Sequence, residues 1–252
     1  MSSITVLGIK IDKINLEKAL LKSREFLHSS GQYKIFTPNP EMAVKAQKDE
    51  NFKKILNNGD LNICDGFGLS IISGAPRITG VDFMLEICQI AVEKNKGIFL
   101  LGSENNEIAK KTAEELQKKF PDLKIAGFDQ GPMFSECRPH PFRAGEVPLE
   151  VINKINESGA DILFVAFGMG KQEKWISEHL IQMPKIKIAM GVGGAFDYIS
   201  GNIPRAPRFL RQIGLEWIYR LIQQPERFGR IFNATFHFVF LVLKEKLSIK
   251  YD

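Results

Sequence analysis

The chain has 252 residues, of which 44% are hydrophobic and 25% are charged, a composition typical of a soluble globular protein. This length accommodates one well-packed domain and an appendage. The three cysteines, Cys64, Cys88 and Cys137, are too widely spaced for a disulfide framework or a metal knuckle. No charged-then-apolar leader opens the sequence, so we expect a cytoplasmic protein.

The positive charge is concentrated late in the chain. From Arg205 onward there are nine basic and four acidic residues, whereas residues 1–204 are neutral overall. The same segment is rich in aromatic side chains, including Phe209, Trp217, Tyr219, Phe228, Phe232, Phe236, Phe238 and Phe240. We therefore predict a core of residues 1–204 and a basic, aromatic-rich appendage of residues 205–252 that is attracted to a polyanionic surface.

Apolar strand-like runs alternate with helical patterns along the core. The predicted strands are 4–9, 34–37, 61–64, 97–101, 123–127, 161–166 and 186–190. The predicted helices are 16–28, 40–57, 106–120, 149–158 and 171–180, with a short turn after Asp65 and a long proline-containing loop at 128–148. This alternation predicts an α/β fold, with a Rossmann-like, mainly parallel sheet flanked by helices and a basic helical C-terminal appendage.

Polar residues follow several of these strands, where ligands bind in such sheets. Thr37 and Asn39 alternate with prolines that stiffen the backbone, although both are also common helix-start residues. Asp65 precedes a glycine-rich turn and is a candidate general base, or alternatively the N-cap of the next helix. Arg77 is a candidate clamp for a diphosphate.

A glycine turn opens the helix predicted at 171–180. Gly168 and the first-turn residues Lys171 and Gln172 offer donors to a phosphate at the positive end of that helix. The dinucleotide fingerprint requires a third glycine where Glu173 stands, so this match fails.

A second glycine-dense segment follows the last strand. Gly193 and Gly194 allow close approach of a ribose or base, and Asp197 can accept hydrogen bonds from hydroxyl groups. Phe196 occupies the third glycine position of the fingerprint here, which is a second argument against a dinucleotide-dependent oxidoreductase. No Asp-x-Asp pair occurs in the sequence, so we expect neither a metal ion nor another cofactor.

Residues 231–243 are mostly apolar and are flanked by basic residues on both sides. Because a membrane-spanning helix needs about 20 apolar residues, this segment is too short to span. It suits an interfacial helix on an anionic membrane, which we prefer to nucleic acid as the polyanionic partner. The alternative is a helix packed on the core or on another subunit, which leaves a homo-oligomer open.

Six segments, in order, resemble the WecG/TagA/CpsF family of glycosyltransferases over nearly the whole chain. They are Thr-Pro-Asn-Pro-Glu-Met from residue 37, Asp-Gly-x-Gly from 65, Arg-x-Thr-Gly-x-Asp from 77, Gly-x-x-Lys-Gln-Glu-x-Trp from 168, Val-Gly-Gly-x-Phe-Asp from 192, and Arg-Ala-Pro from 205 with Gly-Leu-Glu-Trp from 214. Together they are far more specific than any one of them alone.

The resemblance, strongest to the branch that makes wall teichoic acid, implies an activity and partners. The activity is inverting, metal-independent transfer of N-acetylmannosamine from UDP-N-acetylmannosamine to undecaprenyl-diphosphate-linked N-acetylglucosamine. Such an enzyme is peripheral on the inner face of the plasma membrane. Because family members differ in donor sugar, UDP-N-acetylmannosaminuronic acid and UDP-glucose remain alternatives. A non-catalytic, nucleotide-binding membrane adaptor is the rival class, which would not need Asp65, Thr37 or Asn39.

The resemblance also implies a role for each residue singled out above. Asp65 is the base that deprotonates the acceptor hydroxyl. The expected donor-sugar and diphosphate contacts are Thr37, Asn39 and Gln172, with Arg77 nearby; the expected nucleotide contacts are Gly168, Lys171, Gln172, Gly193, Gly194 and Asp197. The expected contacts to the lipid diphosphate are Arg220, Arg227 and Arg230.

Overall fold

The computed structural model describes residues 2–103, 105–131 and 149–248. The strands are β1 (Ser3–Val6), β2 (Ile9–Asp12), β3 (Tyr33–Phe36), β4 (Leu61–Asn62), β5 (Gly97–Gly102), β6 (Lys124–Asp129), β7 (Ile162–Ala166) and β8 (Ile188–Gly191). The helices up to residue 199 are α1 (Leu16–His28), α2 (Pro40–Ala46), α3 (Glu50–Asn57), α4 (Phe67–Ser73), α5 (Gly80–Glu93), α6 (Asn106–Lys119), α7 (Leu149–Ser158), α8 (Lys171–His179) and α9 (Ala195–Ile199). Later helices are α10 (Arg208–Gln212), α11 (Glu216–Gln223), α12 (Phe228–Phe232) and α13 (Phe238–Ser248), with 3-10 turns at Leu180–Gln182 and Pro225–Arg227 and a π-helical turn at Asn233–His237.

The central sheet has six strands in the order β4-β3-β8-β7-β5-β6. The ladders β3–β8, β8–β7, β7–β5 and β5–β6 are all parallel. Strand β7, one of the two middle strands, is apolar throughout, and the side chains from Ile162 to Val165 are fully buried, as expected for a strand covered on both faces. The predicted α/β fold with a parallel sheet flanked by helices is confirmed.

The first predicted strand was wrong. Residues 3–12 form an antiparallel hairpin, β1 with β2, that is separate from the central sheet. The chain reverses at Leu7 and Gly8, which both have positive φ, 51° and 76°. Gly adopts this conformation readily, whereas Leu does so at a free-energy cost. Because an apolar residue is not expected in such a turn, the apolar run was predicted as one continuous strand.

Three further predictions of local structure differ from the structure. The single helix predicted at 40–57 is two helices, because the side chain of Asp49 accepts a hydrogen bond from the Phe52 N–H at 2.9 Å and starts α3 afresh. The short turn predicted after Asp65 is a two-turn helix, α4. The long loop predicted at 128–148 begins later than expected, since β6 runs to Asp129, and residues 132–148 lie outside the described ranges.

The described residues divide into two compact units. Unit 1 contains residues 2–16, 36–79 and 204–248. Unit 2 contains residues 17–35 and the described part of 80–203. The functional division into a core of residues 1–204 and an appendage stays a prediction.

Within unit 1, the late helices pack on the segment that carries the first predicted site residues. The π-helical turn and α13 both contact α2, and the side chains of Phe238 and Val242 are buried. Other apolar side chains of the same helices, including Phe236, Phe240 and Leu243, are exposed. The π-helical turn and α13 therefore have one apolar face that is buried and another that is exposed. None of the helices in the described ranges is long and apolar enough to cross a bilayer.

Candidate active site

The Asp65 turn lies directly against the Thr37–Pro40 loop in unit 1. The backbone N–H of Asp65 donates a hydrogen bond to the carbonyl oxygen of Pro38 at 2.9 Å. Gly66 has φ +106°, and a Cβ at this position would lie 2.7 Å from Cδ of Pro40. Only glycine fits so close to the proline with this backbone. Asp65, Thr37 and Asn39 are thus brought together.

The capping alternatives resolve differently for two of these residues. Oδ1 of Asn39 accepts a hydrogen bond from the Met42 N–H at 2.9 Å and caps α2, so the helix-start role is confirmed for this oxygen. The N-cap residue of α4 is Gly66, which has no side chain to cap with. Asp65 lies one residue earlier and is therefore not the N-cap residue of that helix. Its suitability as a base remains as the sequence predicted.

Arg77 links residues 36–79 to the late helices. Its guanidinium lies 3.1 Å from the Glu216 carboxylate and also donates to the backbone carbonyl of Arg211. Both charged side chains are mostly buried, at 19% exposure each. In the structure the guanidinium of Arg77 is thus bound to protein groups, and its predicted contact with a diphosphate stays a prediction.

Arg230 also pairs within unit 1. Nε and Nη2 of Arg230 lie 2.8 and 3.1 Å from the two carboxylate oxygens of Glu41, only two residues beyond Asn39. This bidentate pair raises the pKa of Arg230 further above its already high value. Of the other two predicted tail arginines, Arg220 lies in α11 and Arg227 ends a 3-10 turn.

Cys64 stands next to Asp65 in the chain and is buried. Burial raises the pKa of its thiol to about 12, and the hydrogen bond with Ser73 offsets only part of this effect. The thiol is therefore neutral at physiological pH and is not a nucleophile. This leaves the Asp65 carboxylate as the basic group of the turn.

Two glycine turns lie side by side in unit 2, because β7 and β8 are neighbouring parallel strands. The turn after β7 contains Gly168 and Gly170, with φ of +81° and +86°, and leads into α8 at Lys171. The turn after β8 contains Gly193, with φ of +53°. A Cβ at Gly168 or Gly193 would meet no atom within 4 Å, so both turns face open space.

Buried side chains connect these turns. Oε1 of Gln172 accepts from the Gly193 N–H at 2.9 Å, and Nε2 of Gln172 donates to Glu173 at 2.8 Å. The other carboxylate oxygen of Glu173 accepts from the Gly170 N–H at 2.6 Å. Gln172 thus uses its amide oxygen and one amide hydrogen inside the protein. Its predicted contact with the donor sugar and diphosphate therefore relies on the second amide hydrogen.

Asp197 lies in α9 beside the second turn. One of its carboxylate oxygens would be 3.7 Å from a Cβ on Gly194, and the other accepts from Nδ2 of Asn202 at 3.2 Å. The predicted nucleotide residues of unit 2 therefore form one neighbourhood, as do the predicted acid–base and sugar residues of unit 1. Convergence of both groups on one crevice stays a prediction.

Sequence reasoning missed three acidic residues that hold the predicted site residues. They are Glu41, Glu173 and Glu216. Only Glu173 carries a local signal, since it is the third residue of α8, where a glutamate commonly accepts from the N-cap N–H. Among the described residues, no group of three or more His, Cys, Asp or Glu side chains is arranged to hold a metal ion.

Comparison with known proteins covers almost the whole chain. The profile of the glycosyl transferase WecG/TagA/CpsF family matches residues 4–251. A protein named N-acetylglucosaminyldiphosphoundecaprenol N-acetyl-beta-D-mannosaminyltransferase from Bacillus subtilis strain 168 is 32% identical over 222 residues, covering 86% of this chain and 81% of its own length. The protein of the same name from Bacillus spizizenii is also 32% identical over 222 residues. The protein of the same name from Staphylococcus aureus strain MRSA252 is 28% identical over 99% of this chain and 95% of its own length. The chain belongs to the WecG/TagA/CpsF family of glycosyltransferases.

Proposed function

We propose that this enzyme transfers N-acetylmannosamine from UDP-N-acetylmannosamine to undecaprenyl-diphosphate-linked N-acetylglucosamine, with inversion and without a metal ion. Family membership and the shared name of the relatives support the transferred sugar and the acceptor, and the UDP carrier and the absence of a metal ion are parts of the proposal that product analysis has to test. The structural observation that carries the proposal is the 2.9 Å hydrogen bond between the Asp65 N–H and the Pro38 carbonyl. It fixes the backbone of Asp65 against the proline-stiffened loop that carries Thr37 and Asn39.

Asp65 takes the proton from the acceptor hydroxyl as that oxygen bonds to the anomeric carbon of the donor sugar. The bond from this carbon to the UDP oxygen breaks, UDP leaves with the electron pair, and the configuration of the carbon inverts. Thr37 and Asn39 orient the sugar, so that the reacting atoms are held in line. A single displacement of this kind needs no covalent nucleophile on the enzyme.

The glycine turns of unit 2 hold the nucleotide in this proposal. The positive φ of Gly168 and Gly193 and the open space beside each support close approach of the diphosphate and nucleoside. Lys171, at the N-terminus of α8, offsets the charge that develops on UDP as it leaves. Asp197 accepts hydrogen bonds from the ribose hydroxyls.

The late helices of unit 1 bring the enzyme to its lipid-linked acceptor at the inner face of the plasma membrane. Exposed apolar side chains on these helices, among them Phe228, Phe236 and Phe240, support insertion into the acyl boundary beside cationic residues. Arg220, Arg227 and Arg230 contact the lipid diphosphate. For Arg230, the diphosphate replaces Glu41 as the anionic partner.

The test is product analysis with a panel of UDP-sugars and a short-chain lipid-diphosphate acceptor. We expect the mass of one added N-acetylhexosamine from UDP-N-acetylmannosamine only; a hexose or uronic acid product would assign another donor. Asp65→Asn should abolish transfer while UDP affinity stays within about threefold, because the change removes the base and keeps the side-chain shape. Equal loss of transfer and UDP binding would make Asp65 a structural residue, and UDP binding without any transfer by the wild type would favour the adaptor.

A further inference from the structure

Glu173 is a fully buried carboxylate that the proposed chemistry does not use. Its exposed fraction is 0%, and that of its neighbour Gln172 is 4%. A buried carboxylate costs several kcal/mol unless hydrogen bonds compensate it. The capping bond to the Gly170 N–H satisfies only one of the two carboxylate oxygens. Its burial therefore calls for a role beyond starting α8.

The hydrogen bonds of Glu173 continue beyond its own helix. One carboxylate oxygen accepts from the Gly170 N–H at 2.6 Å and the other from Nε2 of Gln172 at 2.8 Å. The amide oxygen of Gln172 then accepts from the Gly193 N–H at 2.9 Å. A continuous chain of three hydrogen bonds thus joins the turn after β7 to the turn after β8.

The directions of these bonds depend on the residue types. A carboxylate accepts at both oxygens, so it can receive two N–H groups at once. This leaves Gln172 only one orientation, with its amide nitrogen toward Glu173 and its oxygen toward Gly193. Space for the amide exists because Gly191 has no side chain: a Cβ there would lie 2.7 Å from Nε2 of Gln172.

We infer that Glu173 is a positioning residue for the donor nucleotide, which fixes both glycine turns through this chain of hydrogen bonds without touching the ligand. The inference rests on the proposed nucleotide site. Both turns contain glycines with positive φ, a conformation that L-residues adopt rarely and that glycine leaves easily. Glu173 and Gln172 hold the turns in one geometry before the nucleotide arrives, so less ordering is needed on binding.

The test compares Glu173→Gln with Glu178→Gln, an exposed position in the same helix. In Glu173→Gln one arm becomes a donor that faces another N–H, so one bond of the chain is lost. We expect the Kd for UDP and the donor KM to rise about tenfold, with a smaller change in kcat. Amide hydrogen exchange should accelerate in peptides covering 190–196 as well as 168–173. Glu178→Gln should change neither the UDP Kd and donor KM nor the amide exchange in either peptide.

A purely structural role would give a different result. It would lower the fraction of active enzyme and hence the apparent kcat, with the donor KM and UDP Kd unchanged. Unchanged UDP affinity, or accelerated exchange confined to 168–173, would overturn the inference. If the wild type binds no UDP-sugar, the proposed function fails, and the exchange at 190–196 alone decides whether Glu173 couples the turns.

A second variant keeps the test decisive if Glu173→Gln does not fold. Combining Gln172→Glu with Glu173→Gln reverses the central bond: the new glutamine accepts from Gly170 and donates to the new glutamate, which accepts from Gly193. Folding and slow exchange at 190–196 should return in this double variant. A double variant no better than Glu173→Gln alone would refute the chain of hydrogen bonds as the cause.

Discussion

Phe238 and Phe240 provide a matched pair for separating the two faces of α13. Phe238 is 1% exposed, and its ring lies 3.8 Å from where a Cβ on Gly68 would be, whereas Phe240 is 62% exposed. Truncating a buried Phe to Ala costs about 3–5 kcal/mol, because apolar surface is lost and a cavity remains. The same change at an exposed position usually alters stability by less than about 0.5 kcal/mol.

We therefore expect Phe238→Ala to release the late helices from residues 36–79 and Phe240→Ala to leave them docked. Urea unfolding gives the free energies, and limited proteolysis from residue 204 onward reports the release directly. Sedimentation with vesicles containing anionic lipid gives the converse result: Phe240→Ala should bind more weakly, since its ring is one of the side chains proposed to enter the lipid. Equal destabilisation by the two variants would refute the burial argument, and unchanged vesicle binding of Phe240→Ala would remove Phe240 from the lipid contact.

Two further predictions concern the Glu41–Arg230 ion pair and the buried thiols of Cys64 and Cys88. Glu41 and Arg230 should show a coupling free energy of about 1 kcal/mol in a double-mutant cycle of Glu41→Gln and Arg230→Gln, because Arg230 is half-exposed and the pair is screened by solvent. This coupling, measured by urea unfolding, should shrink in 1 M salt; a salt-independent value would contradict an ion pair. Burial raises the pKa of Cys64 and of Cys88 to about 12, so in a Cys137→Ser background neither thiol should react with a disulfide reagent at pH 7 until the protein unfolds. Rapid labelling of the native protein would show that these thiols are accessible.

The elements that the sequence predicted best are those with an unambiguous pattern. Strand β7 was found as an uninterrupted apolar run, and α7 was predicted at its observed bounds from helical periodicity. The hairpin of β1 and β2 was missed because an apolar residue, Leu7, occupies a positive-φ position in its turn. Asp49 was missed as a helix start because a charged residue in a polar stretch also fits a continuous helix.

The candidate site could likewise be predicted only where a local sequence pattern marks its residues. Residues such as Asp65 and Gly193 could be singled out because they follow strands directly, at the edge of a parallel sheet where ligands bind. The partners that hold the site residues do not stand out, since no local pattern joins residues far apart. Glu41 and Arg230 are separated by 189 positions, and only tertiary structure pairs them.

The make-up of unit 1 also has a consequence for biosynthesis. Its middle segment, residues 36–79, packs against the segment that contains Phe238 and Val242, which is synthesised long after it. At about 5–20 residues per second, roughly ten seconds or more pass between the synthesis of Asp65 and that of its late neighbours. Unit 2 ends at residue 203 and can assemble sooner. During that interval the apolar surface that α13 covers in the folded protein is exposed to water in the nascent chain, a condition that favours aggregation.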